Sequence, residues 1–244
     1  MNTETAIRRD LAAAYQLIAL NDMDDGIYTH ISARLPGEGE RFLLNAYGLH
    51  FAEVTADNLV TVAADGTVLH DPLGRGVNAA GFIIHSAIHA ARPDVVCVLH
   101  THTVAGVAVS CQEEGLLPLN QWALQFHDRL AYHDYEGIAL DPDERARLVA
   151  DLGAQMAMIL RNHGLLTCGR SVGEAYLRMM DLERSCQTQL AAQASGVPLR
   201  RLDPALCEHV ARQYEQWAEQ DTEADPAWQA MLRRIGAGAA QADT

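Results

Sequence analysis

Four of the chain's eleven histidines fall within one stretch, GFIIHSAIHAARPDVVCVLHTHT, residues 81–103. His100 and His102 flank a single residue in VVCVLHTH, an apolar run whose length and three valines predict a buried strand. Side chains at i and i+2 of a strand leave the same face, roughly 6–7 Å apart. Two imidazoles so placed can converge on one cation, each nitrogen about 2.0–2.1 Å from it. They stand at the carboxyl end of their strand, where sites on α/β sheets tend to open. His163, in ILRNHGLLTCG, closes a second apolar run, and Gly164 lets the backbone turn after it. If the two strands are neighbours, His163 supplies a third nitrogen. Three histidines with coordination positions left open form a catalytic pattern, not a closed structural one.

The remaining histidines divide by context. His85 and His89 lie one turn apart on one helical face. The zinc-protease pattern needs Glu directly after the first histidine; Ser86 stands there, which excludes it. His89 reads as a partly buried imidazole bonded to a neighbouring turn, whereas His85, one turn past the helix start, can face the same site as His100. His30, in YTHIS, is either a surface imidazole on a strand or a substrate contact. His50, His70 and His209 read as surface residues, and His127 and His133 carry no assignment.

The elements that must position these groups follow from periodicity. Residues 6–19 place Ile7, Leu11, Ala14, Leu17 and Ile18 at helical spacing. The acidic turn NDMDDG leads into a strand-like IYTHISARL, a Pro36-Gly37 turn and a second strand, RFLLN. LVTVAADGTVL predicts a hairpin about Asp65-Gly66. From Asn78, which reads as an N-cap, the period becomes helical until Pro93 stops it. Asp141-Pro142-Asp143-Glu144 starts another helix, MAMIL is a short buried strand, and SVGE is a capping box opening a helix to about Ser195, with Gly196 past its end. Two helical pieces follow, around Pro204–Glu219 and Pro226–Ile235, and GAGAAQADT reads as a frayed terminus. The mixture predicts an α/β or α+β layered domain with antiparallel pairing.

The chain's 244 residues suffice for one large domain with a proper core, or a domain and a tail. A formal net charge of -14 argues against a nucleic-acid or anionic-membrane surface. Cys97, Cys111, Cys168, Cys186 and Cys207 are odd in number and scattered, which suits buried thiols in a reducing compartment. With no signal-like N-terminus and no apolar run of roughly 18 residues, the expected location is cytoplasmic.

Taken in order, YTHISAR, FLLNAYGLHFAEVTADNLVTV, GVNAAGFIIHSAIHAARPDVVCVLHTHTVAGVAVS, GLLPLNQWAL, LAYHDYEGI and ILRNHGLLTCGRSVGEAY resemble the class II aldolase/adducin family, most closely the adducin head domain and its bacterial relatives. The resemblance spans roughly residues 5–195. It implies a three-layer α/β/α sandwich around a mostly antiparallel sheet, with residues 1–200 as the family domain and 201–244 as a helical extension. It implies a homotetramer with sites at subunit interfaces. It also implies a divalent metal, zinc foremost with manganese or iron as alternatives, on His100, His102 and His163. In family aldolases that metal chelates both oxygens of an enediolate as a Lewis acid. Thr29, Tyr47, Gly48 and Gly81 are the matching candidates for substrate binding.

Departures from the family pattern narrow the chemistry. Family aldolases open the FIIH helix with Ser-Ser-Glu, the Glu binding metal and acting as acid and base; here Ala79-Ala80-Gly81 stand there. Thr29-His30 replace a Gly-Asn pair that contacts phosphate. The expectation is therefore a metal-dependent lyase for a small, unphosphorylated hydroxy- or keto-acid, by aldol-type cleavage or decarboxylation. His30, His85 or Tyr132 would carry its protons. The alternative is an adducin-like assembly module without catalysis.

Overall fold

The computed structural model describes residues 3–137, 142–220 and 225–236. Helix α1 spans Glu4–Leu20, capped by the Thr3 side chain on the Ala6 amide. Strands β1 (His30–Arg34), β2 (Arg41–Leu44), β3 (Val60–Ala63) and β4 (Val68–His70) follow. Then come α2 (Ala79–Ala91), β5 (Cys97–Thr101), α3 (Val104–Ser110), α4 (Gln121–Leu124), β6 (Ala131–His133), α5 (Pro142–Leu152), β7 (Ala157–Leu160) and β8 (Gly164–Gly169). Helices α6 (Val172–Ala194), α7 (Pro204–Gln220) and α8 (Pro226–Arg234) close the described chain. The proposed Asp141 cap and most of the GAGAAQADT tail lie outside the described residues.

One eight-stranded sheet runs in the order β4-β3-β2-β1-β5-β8-β7-β6, and every neighbouring pair is antiparallel except β6 with β7. Alternation along β5 sorts the layers. Cys97 and Leu99 join a core with α1 and α6 residues, while Val98 joins Ile88 of α2 and Leu148 and Leu152 of α5. The result is the expected three-layer α/β/α sandwich with a mostly antiparallel sheet.

Local reasons differ from expectation at three places. The SVGE motif caps α6 through Ser171, which accepts from the Glu174 amide, but the Glu174 carboxylate accepts from the Arg170 amide and pairs with Arg178. Only half of the capping box forms. The turn at RNHG is made by Asn162, at φ 55°, and not by Gly164. Gly164 is needed for close approach: a Cβ there would sit 2.4 Å from the Thr101 carbonyl oxygen. Lastly, β5 ends at Thr101, so His102 lies one residue beyond the strand.

The Tyr15 hydroxyl, fully buried on α1, accepts from the amides of Ile31 at 2.8 Å and Asn45 at 3.2 Å. It pins the start of β1 to the end of β2, next to His30.

Candidate metal centre

Register decides which side chains meet. His30 on β1 lies opposite His100 on β5, and Thr101 on β5 lies opposite Leu165 on β8. The start of β1, the ends of β2, β5 and β7, and the start of β8 thus share one edge of the sheet. His163, in the β7–β8 turn, reaches the same edge.

There the Nε2 atoms of His100, His102 and His163 converge. The His100–His102 separation is 2.8 Å and the His102–His163 separation 3.0 Å. Two nitrogens on one cation, each at about 2.0–2.1 Å, lie about 2.9 Å apart at a right angle and about 3.4 Å apart at a tetrahedral one. The outer nitrogens say more. His100 Nδ1 donates to the Leu165 carbonyl at 2.9 Å, and His102 Nδ1 to the Asp25 carboxylate at 2.9 Å. Both partners can only accept, so each ring carries a hydrogen on Nδ1 and directs Nε2 inward. The two Nε2 atoms then face each other at 2.8 Å, an arrangement that a cation shared between them stabilises. Burial holds His100 well below the usual imidazole range, and burial followed by the nearby His102 holds His163 down at about 4. His100 and His163 are thereby kept neutral, with lone pairs available to a cation, and the donor set of three imidazole nitrogens fits a divalent metal. Among the described residues this trio is the single cluster of its kind.

The other candidates are placed differently. His30 is 5% exposed, so the surface reading of it is wrong. Its ring centroid stands 5.9 Å from that of His100 and 4.2 Å from that of His85, and neither of its nitrogens has a hydrogen-bond partner of normal geometry. Burial draws its pKa down to about 4. Gly81 lies directly against it: a Cβ at position 81 would stand 2.2 Å from His30 Cε1. The histidine thus occupies the space into which a side chain at 81 would emerge. His85 is fully buried behind His30, tied through Nδ1 to Ser32 Oγ at 2.7 Å, and is not part of the trio.

Tyr132 is not brought to the site. It faces the opposite layer, its hydroxyl accepting from the Leu116 amide at 3.1 Å while Arg161 stacks on its ring. Strand alternation sends its neighbour His133 to the α5 side, onto Asp151 at 2.7 Å. Thr29 is buried with an unpartnered hydroxyl beside His30, and Tyr47 and Gly48 follow β2 at the same edge, with Tyr47 46% exposed and Gly48 at φ 81°. Two contributors had no signal in the sequence. Asp25 belongs to an acidic turn whose nearness to His102 depends on the β1–β5 pairing. Tyr135, exposed, stands 6.3 Å from the His163 ring.

A sequence profile described as Class II Aldolase and Adducin N-terminal domain matches residues 9–190. The chain belongs to that family. An aldolase II superfamily protein of Pseudomonas syringae has a solved structure that is 51% identical, with a TM-score of 0.89 over 96% of this chain and 94% of that one. Alpha-adducin of Mus musculus is 42% identical over 93% of this chain, which spans 31% of that longer protein. The L-fuculose 1-phosphate aldolase of Glaciozyma antarctica is 29% identical, with a TM-score of 0.82 over 96% of this chain and 91% of that one. No described helix is long and apolar enough to cross a membrane.

Proposed function

We propose that the protein is a metal-dependent lyase for a small, unphosphorylated hydroxy- or keto-acid, cleaving a C–C bond by retro-aldol reaction or decarboxylation. The carrying observation is the trio of converging Nε2 atoms whose outer nitrogens are held by Leu165 and Asp25. Such chemistry requires an electron sink. None of the 18 basic residues is a lysine, so no lysine amine within these residues can form an imine with the substrate. The sink left to the chain is a divalent cation on His100, His102 and His163, zinc foremost, which supplies Lewis acidity to a bidentate oxygen ligand. Manganese and iron suit the same nitrogens.

His30 is the chain's own acid/base group in this reading. It has free nitrogens, sits beside the trio, and fills the place where a carboxylate at 81 would project. Thr29, Tyr47, Gly48 and the Gly81 backbone line the substrate's approach. Neutral, buried His30 and His85 offer no positive charge to a phosphate, which supports an unphosphorylated substrate. Exposed Tyr28, Tyr47, Val104 and Tyr135 gather near this edge of the sheet, which supports a homotetramer with sites at subunit interfaces. Residues 1–200 are the catalytic unit, residues 201–244 an appended C-terminal part that includes α7 and α8, and the location is cytoplasmic.

The 42% identity to alpha-adducin, together with the missing carboxylate at 81, supports a second reading as an assembly module with a relict site. Metal analysis of the purified protein, paired with a screen of hydroxy- and keto-acids for cleavage, separates the two. The expected result is close to one divalent ion per chain, lost in a His100→Ala, His102→Ala double variant. Metal-free protein after growth with added zinc, manganese and iron would sink the lyase reading.

A further inference from the structure

Behind the metal centre lies a second, wholly buried line of polar groups. His89 Nδ1 meets the Val95 carbonyl at 3.4 Å, His89 Nε2 meets Ser32 Oγ at 2.8 Å, and Ser32 Oγ meets His85 Nδ1 at 2.7 Å. His85 Nε2 ends the line without a partner, and the His85 ring packs on the His30 ring with centroids 4.2 Å apart. Ser32 is fully buried, as is His85, and His89 is 1% exposed, so water does not compete for these bonds.

The direction of every hydrogen in this line is determined by its far end. A carbonyl oxygen can only accept, so His89 carries its hydrogen on Nδ1. Its Nε2 is then a bare acceptor and takes the single Ser32 hydroxyl hydrogen. Ser32 Oγ, having donated, accepts from His85, whose hydrogen must be on Nδ1. His85 Nε2 is left as a bare lone pair on a ring packed against His30. The reverse order would set the Val95 oxygen against a nitrogen lone pair of His89. Phe42 stacks on the His89 ring at 4.6 Å and 23°, which restrains that ring from flipping.

We propose that Ser32 and His89 are positioning residues: they fix His85 in its Nδ1–H form, so that its Nε2 is a bare acceptor available to an N–H of the adjoining His30, which it polarises as a base. An N–H of His30 that turns onto this lone pair leaves the other His30 nitrogen unprotonated. The active role of His30 rests on the lyase reading; the state of the line does not, and it is measurable without a substrate.

Long-range 1H–15N correlation spectra of 15N-histidine-labelled protein at neutral pH, metal-free and zinc-loaded, read the hydrogen on each ring nitrogen directly. Wild type is expected to show His85 and His89 both protonated at Nδ1 and bare at Nε2. In His89→Phe the Ser32 hydroxyl is released to donate to His85 Nδ1, and His85 inverts to the Nε2–H form; Ser32→Thr retains the wild-type pattern. Wild-type His85 carrying its hydrogen on Nε2 would overturn the proposal, as would a His85 unaffected by His89→Phe. The wild-type spectrum decides the matter even if a variant fails to fold. Absence of zinc binding would remove the lyase reading and leave the result on the line standing.

Discussion

Asp25 offers the sharpest test of the metal centre, because it touches a candidate ligand and not the proposed metal. Its carboxylate accepts from His102 Nδ1 at 2.9 Å, which orients the ring and makes Nε2 a better donor. Losing such an outer partner weakens metal affinity about 10- to 100-fold, or about 1.4–2.8 kcal/mol. The Asp25 side chain is 51% exposed, so water screens the pair and pulls the loss toward the lower bound. Asp25→Asn is expected to weaken zinc binding about tenfold while leaving the fold intact, since the residue lies in an open turn. Competition against a chromophoric chelator measures this, with His102→Ala as the reference for complete loss of a ligand. Unchanged affinity would refute the assignment of Asp25 as the partner that orients His102. A loss as large as that of His102→Ala would refute it differently, by making Asp25 itself a ligand.

Two more expectations follow from the same edge of the sheet. Gly81→Ala drives a methyl into the His30 ring and should cost about 1–3 kcal/mol in denaturant unfolding; in a His30→Ala background most of that cost should vanish, and additive losses would show that the two positions do not compete for space. Stability should also fall with acid: burial holds His89 at about 3 in the fold, against about 6.5 in the open chain. The open chain therefore binds the extra proton between these values. Its contribution is complete above about pH 6.5 and is lost toward pH 3 at about 1.4 kcal/mol per pH unit. His30, His85, His100 and His163 are lowered too and steepen the trend. Urea midpoints at several pH values should show a shallower slope in His89→Phe; an equal slope would refute the claim that His89 is buried neutral.

Residue patterns carried much of this architecture. Strand-like runs and turn chemistry located β1 to β4 with their hairpin, a continuous valine-rich run located β5, helical spacing located α1, and spacing with caps located α2 and α6. The three-residue strand β6 lies in a run with no clear period, and β8 directly follows the RNHG turn, so neither stood apart in the sequence. At the site, the H-x-H spacing and the apolar run before His163 sufficed to nominate three ligands. The roles of Asp25, Ser32 and Gly81 could not be read that way, because each depends on a partner over fifty residues away: His102, His85 and His30. Tyr132 failed for a simpler reason: a one-residue step along a strand reverses the face.

The place of β5 between β1 and β8 has a kinetic consequence. His30 pairs with His100 and Cys97 with Gly169, so the sheet closes only when segments about seventy residues apart along the chain have met. Such topology folds slowly. The three imidazoles meet only when β5 and β8 have joined, so a cation held by all three stabilises the folded chain and not the open one. Metal loading should then retard unfolding. The lifetime of the native chain would follow the supply of metal around it.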